Sequence, residues 1–243
     1  MAPAPSTAQT ADRAFEVLDA IADEGAGRLT DIVARTGLER RVVSRLLASL
    51  VRADLIEPGP GGTYDLGSRL IEIGELAETR NPLRAKSRPV AQELMIRTRA
   101  STVIHRVRGS ELSPVLVLTP TDVLAVSYPK RSRIPLHLGI GRAALAWLPP
   151  GEVAAVIDGA PLDHEVEAEL DRVRATGVAI SHGELVRGVT AVGAAIRTPE
   201  GRPVAVVVVA APEGAHPERY ADQVAAAAKQ ISSSLTPADR QRI

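Results

Sequence analysis

Arg40, Arg41, Ser44 and Arg45 form the densest group of side chains here able to do recognition chemistry. A guanidinium is a rigid fork of donors. It fits the O6/N7 edge of guanine or two oxygens of a phosphate, and a serine hydroxyl serves base or backbone. On a helix, positions i, i+1, i+4 and i+5 share one side. The group sits in a wider basic stretch, with six arginines (28, 35, 40, 41, 45, 52) against Asp31 and Glu39 between residues 28 and 52. The whole chain of 243 residues balances 29 basic against 29 acidic groups. A basic patch on a neutral chain suits a protein that binds particular double-stranded sites and does not coat all DNA. Aromatic residues are 2% of the chain, which excludes a stacking platform for single strands.

Other reactive groups do not assemble into a catalytic set. The histidines (105, 137, 164, 182, 216) are scattered and none falls in an HExxH spacing. There are no cysteines, which excludes disulfides, thiolate zinc sites and a cysteine nucleophile and agrees with a reducing cytoplasm. Ser113, Ser127 and Ser181 lack a GxSxG context. Gly139-Ile140-Gly141-Arg142-Ala143-Ala144 matches GxGxxA. A dinucleotide fingerprint also needs an acid at the end of a strand about twenty residues on, and Asp158 ends a helical stretch instead. The glycines read better as backbone brought close to a ligand at a helix entry. Glu167/Asp171 and Glu165/Glu169, four apart, read as a solvated helix face. No catalytic residue, metal site or cofactor is assigned. The alternative reading is an enzyme, its chemistry in residues 100–243, with an accessory DNA-binding domain.

The elements that must hold the arginines follow from the apolar periodicity. Residues 1–10 are Pro/Ala/Ser/Thr-rich and predict a disordered tail. A helix follows from Ala11 to about Asp23, its apolar face being Ala14, Phe15, Val17, Leu18 and Ile21. Thr30 is the expected N-cap of a second helix, closed by a Gly37 turn. A third helix, 39–53, carries a Val42, Val43, Leu46, Leu47, Leu50 stripe with the arginines opposite. Short strands on either side of a Pro-Gly-Pro-Gly-Gly turn (58–62) predict a hairpin. Helix, turn, helix and wing in this order, over residues 11–67, give a winged helix-turn-helix. Thr30, Thr63 and Tyr64 thereby join the four α-helical side chains as DNA-binding candidates.

Residues 68–98 predict two linker helices, capped by Ser68 and broken at Asn81-Pro82, in a position suited to dimerisation on a palindrome. Residues 99–243 alternate. Strands are expected at 102–107, 115–119, 123–128, 178–181, 191–197 and 204–210. Helices are expected at 141–147, 152–158, 164–176 and 217–235. The class is α+β, an antiparallel sheet with helices packed on it, able to enclose a small-molecule pocket. Tyr128, near Arg131 and Arg133, is placed to meet an effector ring or carboxylate, and His182 with Glu184 to line a pocket mouth. The N-terminus has no signal-peptide pattern, and the longest apolar run, residues 204–212, is too short to span a bilayer.

Several segments in order resemble the IclR family of transcriptional regulators: Arg13-Ala14-Phe15-Glu16-Val17-Leu18, residues 29–38, Ser44-Arg45-Leu46-Leu47-Ala48-Ser49-Leu50 and residues 64–70 in the first part. In the second part they are Pro135-Leu136-His137, Gly141-Arg142-Ala143-Ala144-Leu145-Ala146, Gly183-Glu184-Leu185 with Gly188-Val189, and Gly201-Arg202-Pro203-Val204-Ala205. The resemblance implies a GAF-like effector domain, assembly as dimers or tetramers, and control by a small metabolite, often an organic or aromatic acid. Most such proteins repress. Effector candidates are Tyr128, His137, Leu138, Gly139, Ile140, His182, Glu184, Val189, Ala191, Val208 and Ala210. The sequence departs from the family's usual pattern. Glu39-Arg40-Arg41-Val42 replaces a common Pro-Lys-Ser-Thr, and Ser44 replaces a common histidine. Val208, Ala210 and Ala191 stand where polar residues or a cysteine are frequent, which implies a more apolar pocket.

Overall fold

The structure is a computed structural model and describes residues 9–24, 27–121, 125–126, 132–157, 164–240 and 242–243. The chain divides into two compact units, Met1–Arg80 and Asn81–Ile243.

In the first unit, α1 (Gln9–Glu24) is followed by β1 (Gly27–Arg28), α2 (Leu29–Thr36), α3 (Arg40–Arg52), β2 (Ile56–Pro58), β3 (Thr63–Leu66) and α4 (Arg69–Thr79). Val17, Ile21, Ile32, Val43, Leu47 and Ile56 close one apolar core. Two sequence expectations change. Phe15 is 63% exposed, so it lies off the buried stripe of α1. Thr30 is not the cap of α2 but its second residue. The cap position is Arg28, whose backbone N–H donates to the Asp31 carboxylate at 3.2 Å. The acid three residues in satisfies the orphan N–H, so no capping hydroxyl is needed. Gly37 ends α2 in the left-handed region (φ 66°), donating to the Val33 carbonyl at 3.0 Å. The sheet order is β1-β3-β2, all antiparallel, with Gly27 opposite Tyr64 and Ile56 opposite Leu66. Gly67 lets the wing return beside α3. A Cβ there would sit 2.2 Å from the Asp54 carbonyl oxygen, closer than any side chain tolerates.

The second unit comprises α5 (Pro82–Thr98), β4 (Ser101–Arg108), β5 (Glu111–Leu118), β6 (Ile134–Pro135), α6 (Arg142–Leu145), α7 (Pro150–Val156), α8 (His164–Thr176), β7 (Ala179–His182), β8 (Val189–Arg197), β9 (Pro203–Pro212), α9 (Ala221–Ser234) and α10 (Pro237–Arg240). Asn81 caps α5 by accepting from the Arg84 N–H at 3.2 Å. The sheet runs β6-β5-β4-β9-β8-β7, antiparallel throughout. Alternation along β8 and β9 sends Val192, Ala194, Val207 and Val209 to the face covered by α5 and α9, and Ala191, Val206, Val208 and Ala210 to the face covered by α6 and α8. In β5 the alternation breaks. Leu112 and Leu116, four apart, face opposite sides. A bulge does this, since Ile104 pairs with Leu116 but His105 pairs with Pro114. Arg84 of α5 donates to the carbonyl of the extra residue, Val115, at 2.6 Å. The strand expected at 123–128 falls largely outside the described residues, as does Tyr128. Among the described residues no helix is long and apolar enough to cross a membrane.

Candidate DNA-binding and effector sites

Helix α3 buries Val43, Leu46, Leu47 and Leu50 and turns Arg40, Arg41, Ser44 and Arg45 to the exposed side. None of these three guanidiniums has an acid or a hydrogen-bond acceptor among the described residues. They are therefore free to meet an external acceptor. The rest of the basic stretch is not uniform. Arg35 is used by the fold, its Nη1 donating to the Ala20 carbonyl at 2.7 Å near the end of α1. Arg28 lies opposite Thr63 in the β1–β3 pair, with Nη2 3.8 Å from where a Cβ on Gly61 would be. This puts a cation at the wing tip. Sequence reasoning counted Arg28 in the patch but did not single it out, because the pairing that carries it to the wing is only two residues long.

Of the other candidates, Thr30 is exposed and its hydroxyl donates to Asp31 at 3.3 Å. The Thr63 hydroxyl donates back to the Pro60 carbonyl at 2.9 Å and so holds the turn. Tyr64 is half-buried against the core of the first unit. Gly61 and Gly62 both have positive φ (68° and 76°), which two consecutive side-chain-bearing residues would resist.

The effector candidates come together in part. Ser181, Ala191, Ala210 and Ser101 lie side by side across β7, β8, β9 and β4. Next to them run Ala179, Gly193, Val208 and Val103. These two rows of small side chains form a floor beneath α6 and α8. The segment Leu138–Gly141 lies over it. A Cβ on Gly139 (φ 52°) would be 2.8 Å from the Ser181 hydroxyl, and one on Gly193 would be 3.3 Å from Ile140. Glycine at both positions allows the cover to sit directly on the sheet. Ser101, Ser181 and Gly193 were not among the sequence candidates, because only the strand register reveals that they line up with Ala191 and Val208. Ser101 is fully buried and donates to the Val126 carbonyl at 2.8 Å.

Other candidates sit at the rim. The His137 side chain is exposed. What it contributes is its carbonyl, which accepts from Arg142 Nε at 3.1 Å. His182 is exposed too, its Nδ1 3.4 Å from the Thr190 hydroxyl. Glu184 is drawn into a cluster. Arg142 Nη1 lies 2.9 Å from Glu184 and 2.6 Å from Glu169. Burial raises the Glu169 carboxyl above the usual carboxylate range and outweighs the Arg142 attraction, with Glu184 adding repulsion. The Glu165/Glu169 pair is thus not simply a solvated face. Leu138 and Val189 are half-buried, and Val189 packs at the edge of the same apolar cluster as Ile140.

Comparison with known proteins agrees with this geometry. The IclR helix-turn-helix domain matches residues 10–60, and the bacterial transcriptional regulator IclR C-terminal domain matches residues 76–236. The HTH-type transcriptional regulator KipR of Bacillus subtilis is 27% identical over 222 residues, 85% of this chain and 89% of its own. The HTH-type transcriptional regulator Rv1719 of Mycobacterium tuberculosis is 33% identical over 219 residues, 84% of this chain and 82% of its own. An IclR homolog of Microbacterium hydrocarbonoxydans, solved with 4-hydroxybenzoate, superposes with a TM-score of 0.77 at 22% identity, covering 96% of this chain and 100% of that one. A helix-turn-helix with three unpaired arginines on α3, joined to a six-stranded effector domain and matched by both family domains, makes this chain a member of the IclR family of bacterial transcriptional regulators.

Proposed function

We propose that this protein is a ligand-responsive repressor that works in the cytoplasm and binds a palindromic operator as a dimer or tetramer. The observation that carries the reading is the outward face of α3, where Arg40, Arg41, Ser44 and Arg45 have no other use in the fold. The α3 helices of a dimer enter successive major grooves, and Arg28 and Thr63 of the wing approach the phosphate backbone. Dimerisation is supported by α4, where Ile71, Ile73 and Leu76 are 66%, 47% and 52% exposed and no residue is buried. An apolar helix face of this kind calls for a covering partner. The effector is a small organic acid seated on the floor of Ala191, Val208 and Ala210. That class is supported by the 4-hydroxybenzoate complex of the Microbacterium relative. Effector binding shifts operator affinity by favouring one arrangement of the dimer over another.

The test begins by selecting bound fragments from genomic DNA with the full chain, then titrating the selected site at fixed salt. Arg40→Ala and Arg45→Ala each weaken specific binding by about 1–3 kcal/mol where the side chain reads a base, or uniformly across sequences where it holds a phosphate. Circular dichroism of both variants stays at the wild-type value. Unchanged affinity in both variants would show that α3 is not the recognition helix.

A further inference from the structure

A cleft of about 600 Å³ opens at the turn end of the β8–β9 hairpin, between α9 and Trp147, away from the Ala191–Ala210 floor. Its size suits a small molecule. Among the described residues three cations line it, Arg197, Lys229 and Arg240, and no carboxylate does. The Arg197 guanidinium lies 3.6 Å over the Trp147 ring, which fixes its plane. Lys229 makes no ion pair among the described residues, and Arg240 Nε is buried without a hydrogen-bond partner among them. Acids nearby are engaged elsewhere. Glu152 makes a two-bond pair with Arg202, at 2.8 and 2.9 Å. Glu200, fully exposed in the turn, is held by the Thr198 hydroxyl and senses Arg240 only through space.

The cleft is also built to stay open. Ala194, Ala225 and Ala228 keep its walls small. Ser232 accepts the Arg197 backbone N–H at 2.9 Å and donates to the Ala228 carbonyl at 2.7 Å, tying the hairpin to α9. Three like charges brought together with no carboxylate in the lining repel one another, and that repulsion is relieved when a multiply charged anion enters. A single carboxylate would neutralise only one of them. We infer that this cleft is a second small-molecule site, distinct from the effector floor, and that it takes a polyanionic metabolite bearing at least two carboxylate or phosphate charges. Trp147 lies two residues beyond α6, whose other end adjoins the Leu138–Gly141 cover, so one short helix connects the two sites.

The experiment is calorimetric titration of the full chain with citrate, inorganic phosphate and acetate at constant ionic strength. Citrate or phosphate binds saturably at one site per chain, and acetate at least about tenfold more weakly. Whichever of the two binds tighter tells a carboxylate ligand from a phosphate one. The double variant Lys229→Ala/Arg240→Ala loses at least about tenfold in affinity with an unchanged circular dichroism spectrum, and Lys229→Glu alone gives the same direction. Ser181→Ala, outside the lining of the cleft, keeps full affinity. The proposal fails if neither polyanion saturates, if the double variant binds as tightly as wild type, or if Ser181→Ala abolishes binding. None of these outcomes bears on DNA recognition by α3.

Discussion

Arg142→Ala removes the guanidinium that separates two carboxylates at the rim of the candidate effector floor. Its side chain is 11% exposed, and those of Glu169 and Glu184 are 19% and 29% exposed. Exposed pairs contribute about 0–1 kcal/mol, whereas breaking a fully buried one costs about 3–5 kcal/mol. Mostly buried groups fall between, so the loss is about 2–3 kcal/mol, plus the hydrogen bond to the His137 carbonyl. For a unit of this size that lowers Tm by about 4–12 °C. The loss depends on pH. Glu169 holds its proton to higher pH in the folded state than in the unfolded chain, because burial opposes its charge. Without Arg142 that tendency grows. A carboxyl with a raised folded-state pKa costs stability as pH rises from the usual carboxylate range through the raised value. The deficit of Arg142→Ala is therefore full at pH 8 and closes as pH falls towards about 4.5. Adding Glu169→Gln removes the stranded charge and restores at least half of the lost Tm at pH 8, a non-additivity expected of groups in contact. Thermal unfolding followed by circular dichroism at pH 5 and pH 8 reads all of this. A Tm within about 1 °C of wild type at pH 8, or no recovery in the double variant, would refute the electrostatic account.

His105 is fully buried in β4, and desolvation lowers its pKa to about 3. The unfolded chain takes up the proton that the folded one refuses, so stability falls as pH drops below about 6.5, by about 2 kcal/mol at pH 5. Urea unfolding between pH 7 and 5 measures the slope, which His105→Gln flattens; an NMR signal of His105 that titrates near 6.5 in the native protein contradicts this. Ile71→Asp/Leu76→Asp on α4 shifts the assembly towards monomer in analytical ultracentrifugation and lowers operator affinity while leaving the α3 side chains in place, and an unchanged sedimentation coefficient would remove α4 from the interface.

Much of this architecture is legible from the sequence for identifiable reasons. The stripe of α3 has the full 3.6-residue period, and 164–176 matches α8 because its ends carry ordinary helix stops. The strands β8 and β9 read clearly as β-branched runs around a Pro-Glu-Gly-Arg turn. β5 was half visible. Pro114 argues against a strand interior, and only the bulge opposite His105 accommodates it. β6 and β1, each two residues long, carry too little pattern to be seen. Phe15 shows the limit of periodicity, since it fits the apolar face of α1 by residue type yet lies outside the packed core. The candidate effector floor was partly legible. Ala191, Val208 and Ala210 came from family resemblance, but Ser101, Ser181 and Gly193 are joined to them only through cross-strand register.

That register also orients the proposed effector. From Ser181 to Ser101 there are three strand-to-strand steps, about 14 Å at about 4.8 Å each, and between the two hydroxyls lie only Ala191 and Ala210. An acid of one ring is too short to span both. The hydroxyls are not equivalent. Ser101 spends its proton on the Val126 carbonyl, whereas Ser181 has no hydrogen-bond partner among the described residues. A hydroxyl with no internal acceptor is free to donate to a carboxylate oxygen beside it. The acid end of the ligand thus belongs at Ser181, under the backbone of Gly139, with the ring over Ala191 and Ala210. With 4-hydroxybenzoate as the probe, Ser181→Ala weakens binding about tenfold and Ser101→Ala much less, as read by thermal shift and calorimetry. The reverse order would place the carboxylate at the β4 end and invert the orientation. Equal, small effects in both would mean that the acid is held by the backbone N–H groups of Gly139 and Ile140, with the floor supplying only shape.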